Sequence, residues 1–277
     1  MSSPVSIFRP TNLTSVVYDS PHSGRYYPPT WRTAATREQL RLGEDAFVAD
    51  LLKTSVPLGA ALLVDNYPRC YIDVNREMSD IDPELLSDKW QGSMEPTEKS
   101  RRGLGLIRRF VVPGVPVNAD RLSSSEVMDR IHNVYRPYHD ALSELIESVL
   151  RVNRKVWHVN WHSMKSAGNA MTPDGPNAVR SDFVVSDNHG TTSDSELVDL
   201  IVLTLRERGY SVSVNEPYAG GTIVRKFGNP AAGVHSVQVE INRRLYLDEA
   251  SVELNDGFSV LRGDIEHLTR VLVNHEC

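Results

Sequence analysis

Along the chain the spacing of apolar residues switches between an extended and a helical period, and the switches divide it into alternating elements. Val16, Val17 and Tyr18 favour a strand, and Asp19-Ser20-Pro21 stops it because proline has no N–H for a ladder. Ser23-Gly24 allows a tight turn, so His22 is presented at the carboxyl end of that strand. Thr36-x-x-Gln39 has the form of a capping box and predicts a helix to about Lys53, with Leu40, Phe47, Val48, Leu51 and Leu52 facing inward. Ala61 to Val64 and Cys70 to Val74 read as two strands joined by the turn residues Asp65-Asn66-Tyr67-Pro68. From about Met78 to Asn118 the periodicity fades among prolines, glycines and a basic cluster of Lys99, Arg101 and Arg102. This predicts a long, partly irregular excursion of the kind that often carries function.

Ser123-x-x-Glu126 is a second capping box and opens a helical stretch to about Asn153, with Val127, Ile131, Leu142, Leu145 and Val149 on one face. Pro137 should kink or divide it. Lys155 to Trp161 predicts a buried strand that ends in His162, and Asp182 to Val185 and Ser211 to Val214 predict two more, separated by a helix from about Ser195 to Arg208. Ser236 to Ile241 alternates strictly, with Val237, Val239 and Ile241 on one face and Gln238, Glu240 and Asn242 on the other. Strands separated by helices imply an α/β fold on a parallel or mixed sheet. No repeat, low-complexity tract or linker divides the sequence, so residues 1–277 read as one domain.

Composition narrows the partners. The content of 40% hydrophobic and 24% charged residues is that of an ordinary globular protein. A formal net charge of −6 without a Lys/Arg block argues against nucleic acid and anionic membrane. Two cysteines, Cys70 and Cys277, with no CxxC pair fit a reducing cytoplasm. The N-terminus lacks a basic segment followed by an apolar one, and no apolar run approaches the roughly 20 residues of a membrane helix. The expectation is a soluble cytoplasmic protein whose oligomeric state the sequence leaves open. GxSxG, Walker and GxGxxG motifs are absent, which removes the common serine-hydrolase and nucleotide readings.

Ligands of such sheets sit outside the carboxyl ends of the strands, so the polar residues there are the candidates. Two histidines and one carboxylate form a catalytic zinc set, and His22 and His162 are the two histidines. The carboxylate would come from Gly43-Glu44-Asp45. Helical spacing places Glu44 nearer the centre of the apolar stripe, and the alternative is that both acids are solvated near a helix N-terminus. Glu240 is either a proton acceptor near a metal-bound water or a residue of an exposed edge strand paired with Arg243 or Arg244. Arg76 either clamps a substrate carboxylate or pairs internally with Asp73.

The segments SPHSG (Ser20 to Gly24), EDAFVADL (Glu44 to Leu51), PRCYIDVNR (Pro68 to Arg76), YRPYH (Tyr135 to His139), WHSM (Trp161 to Met164), NEPYAGG (Asn215 to Gly221) and VQVEINRRLYLDE (Val237 to Glu249) span nearly the whole chain. Together they resemble the N-formylglutamate amidohydrolase family, a relative of the zinc carboxypeptidases and of the aspartoacylase and succinylglutamate desuccinylase group. The resemblance implies an α/β fold of three layers, α/β/α, with a central mixed sheet, zinc-carboxypeptidase-like (phosphorylase/hydrolase-like). It implies one Zn²⁺ per chain, or another divalent ion, on His22, His162 and Asp45, so that it favours Asp45 where periodicity favours Glu44. Glu240 resembles the general base, Asn75 and Arg76 resemble the pair that holds a substrate carboxylate, and Arg136, His139, Tyr218 and Arg225 are further substrate contacts.

The implied reaction is hydrolysis of the amide of an N-formyl or other N-acyl amino acid, N-formyl-L-glutamate foremost. A carboxypeptidase- or esterase-like zinc hydrolase and a non-catalytic metabolite-binding homologue are the alternatives. One departure stands out. Asn160 occupies the position, two residues before the second histidine, where an aspartate is expected to orient the imidazole, which implies weaker activity or a different substrate.

Overall fold

A computed structural model describes residues 3–275. In chain order the strands and helices are β1 (Val5–Phe8), β2 (Val16–Ser20), α1 (Arg37–Arg41), α2 (Val48–Leu52), β3 (Ala61–Asp65), α3 (Glu98–Arg101) and α4 (Ser124–Arg130). They continue with α5 (Arg136–Asn153), β4 (Val156–Met164), β5 (Phe183–Ser186), α6 (Ser195–Glu207), β6 (Val212–Val214) and α7 (Thr222–Phe227), then β7 (Val234–Asn242), β8 (Leu247–Asp248), β9 (Glu253–Leu254) and α8 (Gly257–Asn274). Seven strands form one mixed sheet in the order β1-β3-β2-β4-β7-β5-β6. β3, β2, β4 and β7 run parallel, and β1 and the β5–β6 pair run against them.

Side chains alternate across the sheet and give it two apolar faces. Val16, Tyr18, Trp157, Val159, Trp161, Val237 and Val239 pack with α2, α6 and α8. On the other face Val17, Ala61, Leu63 and Val156 pack with α4, α5 and residues of α7. The result is the expected three-layer α/β/α arrangement. α8, which lies beyond the elements read from the sequence, brings Leu261, Ile265, Leu268 and Leu272 inward at helical spacing.

Both capping boxes form, on Thr36 and Ser123. The second helical stretch is continuous in space, but Ile131–Tyr135 winds as a π-helix just ahead of Pro137, which is where the missing N–H loosens the ladder. The first stretch departs from expectation, because no single helix runs from Arg37 to Lys53. α1 stops at Arg41, residues 42–47 turn, Phe47 takes a left-handed φ of 64°, and α2 begins afterwards. Tertiary contacts override propensity here: the Asp45 N–H donates to the His22 carbonyl at 3.0 Å, and Gly43 passes close to Cys70 and Val111.

Cys70 to Val74 is likewise not a strand. It forms no ladder: the Tyr71 N–H turns back to Pro68 and the Arg76 N–H to Asp73, the Asp73 N–H donates to the Leu106 carbonyl of the irregular excursion, and the Asp73 carboxylate accepts from the Asn75 N–H at 3.0 Å. The excursion after Met78 is irregular as expected, with α3 and a single 3₁₀ turn, Pro83–Leu85, inside it. Cys70 is a buried free thiol, and Cys277 lies outside the described residues. Among the described residues no helix is long and apolar enough to cross a membrane.

Candidate metal centre and its cavity

The register of the central strands writes a polar file across the middle of the sheet. Because Trp157, Val159 and Trp161 face one helical layer, His158, Asn160 and His162 face the other. β7 lies alongside in parallel register and sets Ser236 beside His158, Gln238 beside Asn160 and Glu240 beside His162. On the far side of β4, Asp19 of β2 pairs with Asn160. All of these residues are buried. β4 runs on to Met164, so His162 stands within a strand, whereas His22 sits in the turn that follows β2.

His22, Asp45 and His162 converge, with candidate ligand atoms all within 4.8 Å of one another. Nδ1 of His22 and Nδ1 of His162 lie 3.2 and 3.0 Å from Asp45 Oδ2. The outward nitrogens are held as well. His22 Nε2–H donates to Asp73 Oδ1 at 2.7 Å, and His162 Nε2–H donates to Asn160 Oδ1 at 2.7 Å. The direction of the second bond is fixed because the Asn160 amide N–H₂ is committed to both oxygens of Asp19. Asn75 Nδ2 lies 3.0 Å from the same ring nitrogen, and its Oδ1 accepts the Ile223 N–H.

This donor set fits a divalent cation. Two imidazole nitrogens and one carboxylate oxygen face one point, and each imidazole is oriented from behind by a hydrogen bond. Burial alone would raise the Asp45 carboxyl, yet bonds from His162 and His22 and the nearby Arg69 hold it well below the usual carboxylate range. Its other oxygen accepts from Arg243 Nη2 at 3.0 Å.

The two readings of the acidic pair therefore separate in space. Glu44 lies in the turn between α1 and α2, accepts the Tyr27 hydroxyl and has its pKa raised by burial, and it is on neither the triad nor the cavity wall. Helical periodicity favours Glu44 only if the helix continues through it, which it does not.

The triad opens into a cavity of about 620 Å³ whose wall includes Asn75, Arg76, Tyr218, Arg225, Gln238 and Glu240. β7 is an interior strand, so Glu240 does not lie on an exposed edge. Arg243 and Arg244 pair instead with Asp45 and Asp182. Burial raises the pKa of Glu240, partly offset by His162, and Gln238 Nε2 donates to its Oε1 at 3.0 Å. Arg76 does not pair with Asp73, whose oxygens serve His22, Arg69 and the Asn75 N–H. Its Nε and Nη1 donate to the carbonyls of Leu104 and Asn75.

Arg136 and His139 are not on this wall. Arg136 is an exposed residue at the start of α5. His139 is buried one turn later, donates from Nε2 to the Val74 carbonyl at 2.9 Å and stacks on Phe227, so it supports the segment that carries Asn75 and Arg76. Asp19, Asp73 and Gln238 are neighbours of the candidate site that sequence reasoning does not place there. Only Gln238 had a signal, its place on the polar face of β7, because the other two depend on contacts between distant segments.

Residues 14–247 match the family model for N-formylglutamate amidohydrolase. The chain is 26% identical to the N-formylglutamate deformylase of Pseudomonas aeruginosa over 255 residues, covering 91% of this chain and 87% of that one. It is also 26% identical over 231 residues to the N-formylglutamate deformylase of Pseudomonas putida, covering 83% and 80%. The crystal structure of N-formylglutamate amidohydrolase from Ralstonia eutropha JMP134 superposes with a TM-score of 0.91 at 40% identity, over 99% of this chain and 98% of that one.

Proposed function

The chain belongs to the N-formylglutamate amidohydrolase family, and on that premise we propose that it is a zinc-dependent hydrolase that converts N-formyl-L-glutamate and water to L-glutamate and formate. The observation that carries this reading is the buried His22, Asp45 and His162 triad with Glu240 on the strand beside His162, at one cavity wall with Arg76. The two Pseudomonas relatives, named as deformylases of this compound, support the substrate.

Zinc, when bound by the triad, supplies Lewis acidity toward the amide carbonyl and the attacking water. Glu240 is the general base. Burial raises its proton affinity, and Gln238 occupies Oε1, so Oε2 is left to take a proton from the water and return it to the departing nitrogen. Arg76 and Asn75 hold a substrate carboxylate and thereby fix the amide against the triad, which turns binding into orientation. Tyr218 and Arg225 stand on the same wall as further contacts. Residues 1–277 are read as one catalytic domain.

Asn160 does not disarm the site, because it still accepts from His162 and is itself held by a carboxylate, Asp19. This arrangement supports the catalytic reading over that of a non-catalytic binder. The test is formate release by zinc-loaded protein from N-formyl-L-glutamate, with N-acetyl, peptide and ester analogues alongside. Glu240→Gln should keep stoichiometric zinc while turnover falls about 10²- to 10⁴-fold. Faster cleavage of a peptide or an ester would reassign the bond, and parental turnover in the variant would remove Glu240 from its role.

A further inference from the structure

The cavity holds more positive charge than the reaction above uses, and that charge is unevenly distributed. Arg69 is paired with Asp73 at 2.9 Å, Arg243 with Asp45 at 3.0 Å and Arg180 with Asp174 at 2.7 Å. Arg76, Lys99 and Arg225 differ. Among the described residues neither Arg76 nor Lys99 has a carboxylate within 4 Å, and Arg225 has only Glu77, at 3.7 Å with both side chains about half exposed.

Lys99 comes from the basic cluster of the irregular excursion, and α3 sorts that cluster. Asp80, which is buried, accepts the Thr97 N–H and hydroxyl at 2.8 and 3.1 Å and so anchors the start of the helix. Arg101 and Arg102 then reach Glu98; Glu98, Lys99 and Arg102 all line the cavity, and of the two cations there Lys99 is the one without a carboxylate partner. Arg225, from α7, is steadied by donating to the Gly220 carbonyl and the Thr222 hydroxyl, both at 3.2 Å. Arg76 foremost, then burial and Arg225, press the Lys99 ammonium down to about 8, as befits cations that share one space with few counter-charges. In a chain of net charge −6 such a pole favours an anionic ligand.

We propose that Lys99 and Arg225 form, beside Arg76, a subsite for the second carboxylate of a dicarboxylic N-acyl amino acid, and that they set the preference for charged over neutral side chains. The proposal rests on the function given above, in which Arg76 and Asn75 take one carboxylate. A substrate with a single carboxylate would leave Lys99 without a counter-charge and Arg225 with only the half-exposed Glu77, whereas the second carboxylate of a dicarboxylate answers both. Lys99 donates as a point charge and Arg225 as a planar fork.

The experiment compares kcat/KM for N-formyl-L-glutamate and N-formyl-L-glutamine, which are equal in length and differ in one charge. The parent should prefer the glutamate by at least tenfold. Lys99→Ala and Arg225→Ala should each lower that ratio about tenfold, and Lys99→Arg should restore most of it. Calorimetric titration of the metal-free protein with glutarate and with its half-amide repeats the comparison without turnover, and there too Lys99→Ala should weaken glutarate about tenfold. A parent without preference in both assays, or ratios that stay within threefold in both variants, would overturn the subsite. Parent protein that hydrolyses neither substrate yet discriminates glutarate would uphold the subsite and refute the deformylase reading instead. Inorganic phosphate that binds as tightly as glutarate would show a general anion site and overturn the dicarboxylate assignment.

Discussion

Asn160 is where the sequence departs from the expected pattern, and what surrounds it comes only from the structure. Sequence alone shows an amide where a carboxylate would orient His162, but not that Asp19 lies behind it and accepts from Asn160, His158 and Tyr138. The consequence is testable. Asn160→Asp would set two carboxylates against each other where Asn160 Nδ2 now lies 2.9 and 3.0 Å from Asp19, and it should cost about 1–3 kcal/mol of stability. The double variant Asp19→Asn, Asn160→Asp reverses donor and acceptor and should recover most of that loss, read as urea midpoints in a double-mutant cycle. Additive losses would show that the bond between them is not what the site relies on. His22, His162 and Glu240 were legible because they stand at or near strand ends beside alternating apolar residues. Asp73 was not, since its link to His22 spans 51 residues of chain.

Elements were legible where local chemistry decides them and illegible where a neighbour does. Period-2 alternation located β7, and capping boxes located the starts of α1 and α4, within a few residues of the structure. The break after α1 carries Asp45 to the triad, and nothing in the spacing of Leu40, Phe47 and Leu51 announces it. The loop before α7 is a similar case. Gly221 reads as a turn residue, yet its importance lies in the missing Cβ, which would collide with the Asn75 amide. Gly221→Ala should therefore push Asn75 off the Ile223 N–H and raise KM for N-formyl-L-glutamate about tenfold or more, with zinc content unchanged by elemental analysis. An unchanged KM would show that Asn75 is not a substrate contact.

For the molecule as a whole, the order of strands and helices made an α/β fold on a parallel or mixed sheet legible and the family resemblance added its three layers, but the position of β7 in the interior of the sheet was not legible. Its stability should also respond to pH through a group outside the triad. Burial first, and then Lys226, depress the pKa of His139 to about 4, while the unfolded chain titrates near 6.5. Between these values the unfolded state binds the proton first, so stability falls as pH drops from 6.5 towards 4, by at most about 3 kcal/mol from this residue. His139→Gln should show a shallower decline across that window in urea titrations, and an identical slope would mean that His139 does not titrate there.

β7 also joins two halves, since β5 and β6 touch the rest of the sheet only through it. During synthesis β1, β2, β3 and β4 can pair as they emerge, and β5 with β6, but these remain separate pieces until residue 242 is out of the ribosome. The strand that then pairs with both sets Glu240 beside His162, so the closing of the sheet and the completion of the candidate site are one event.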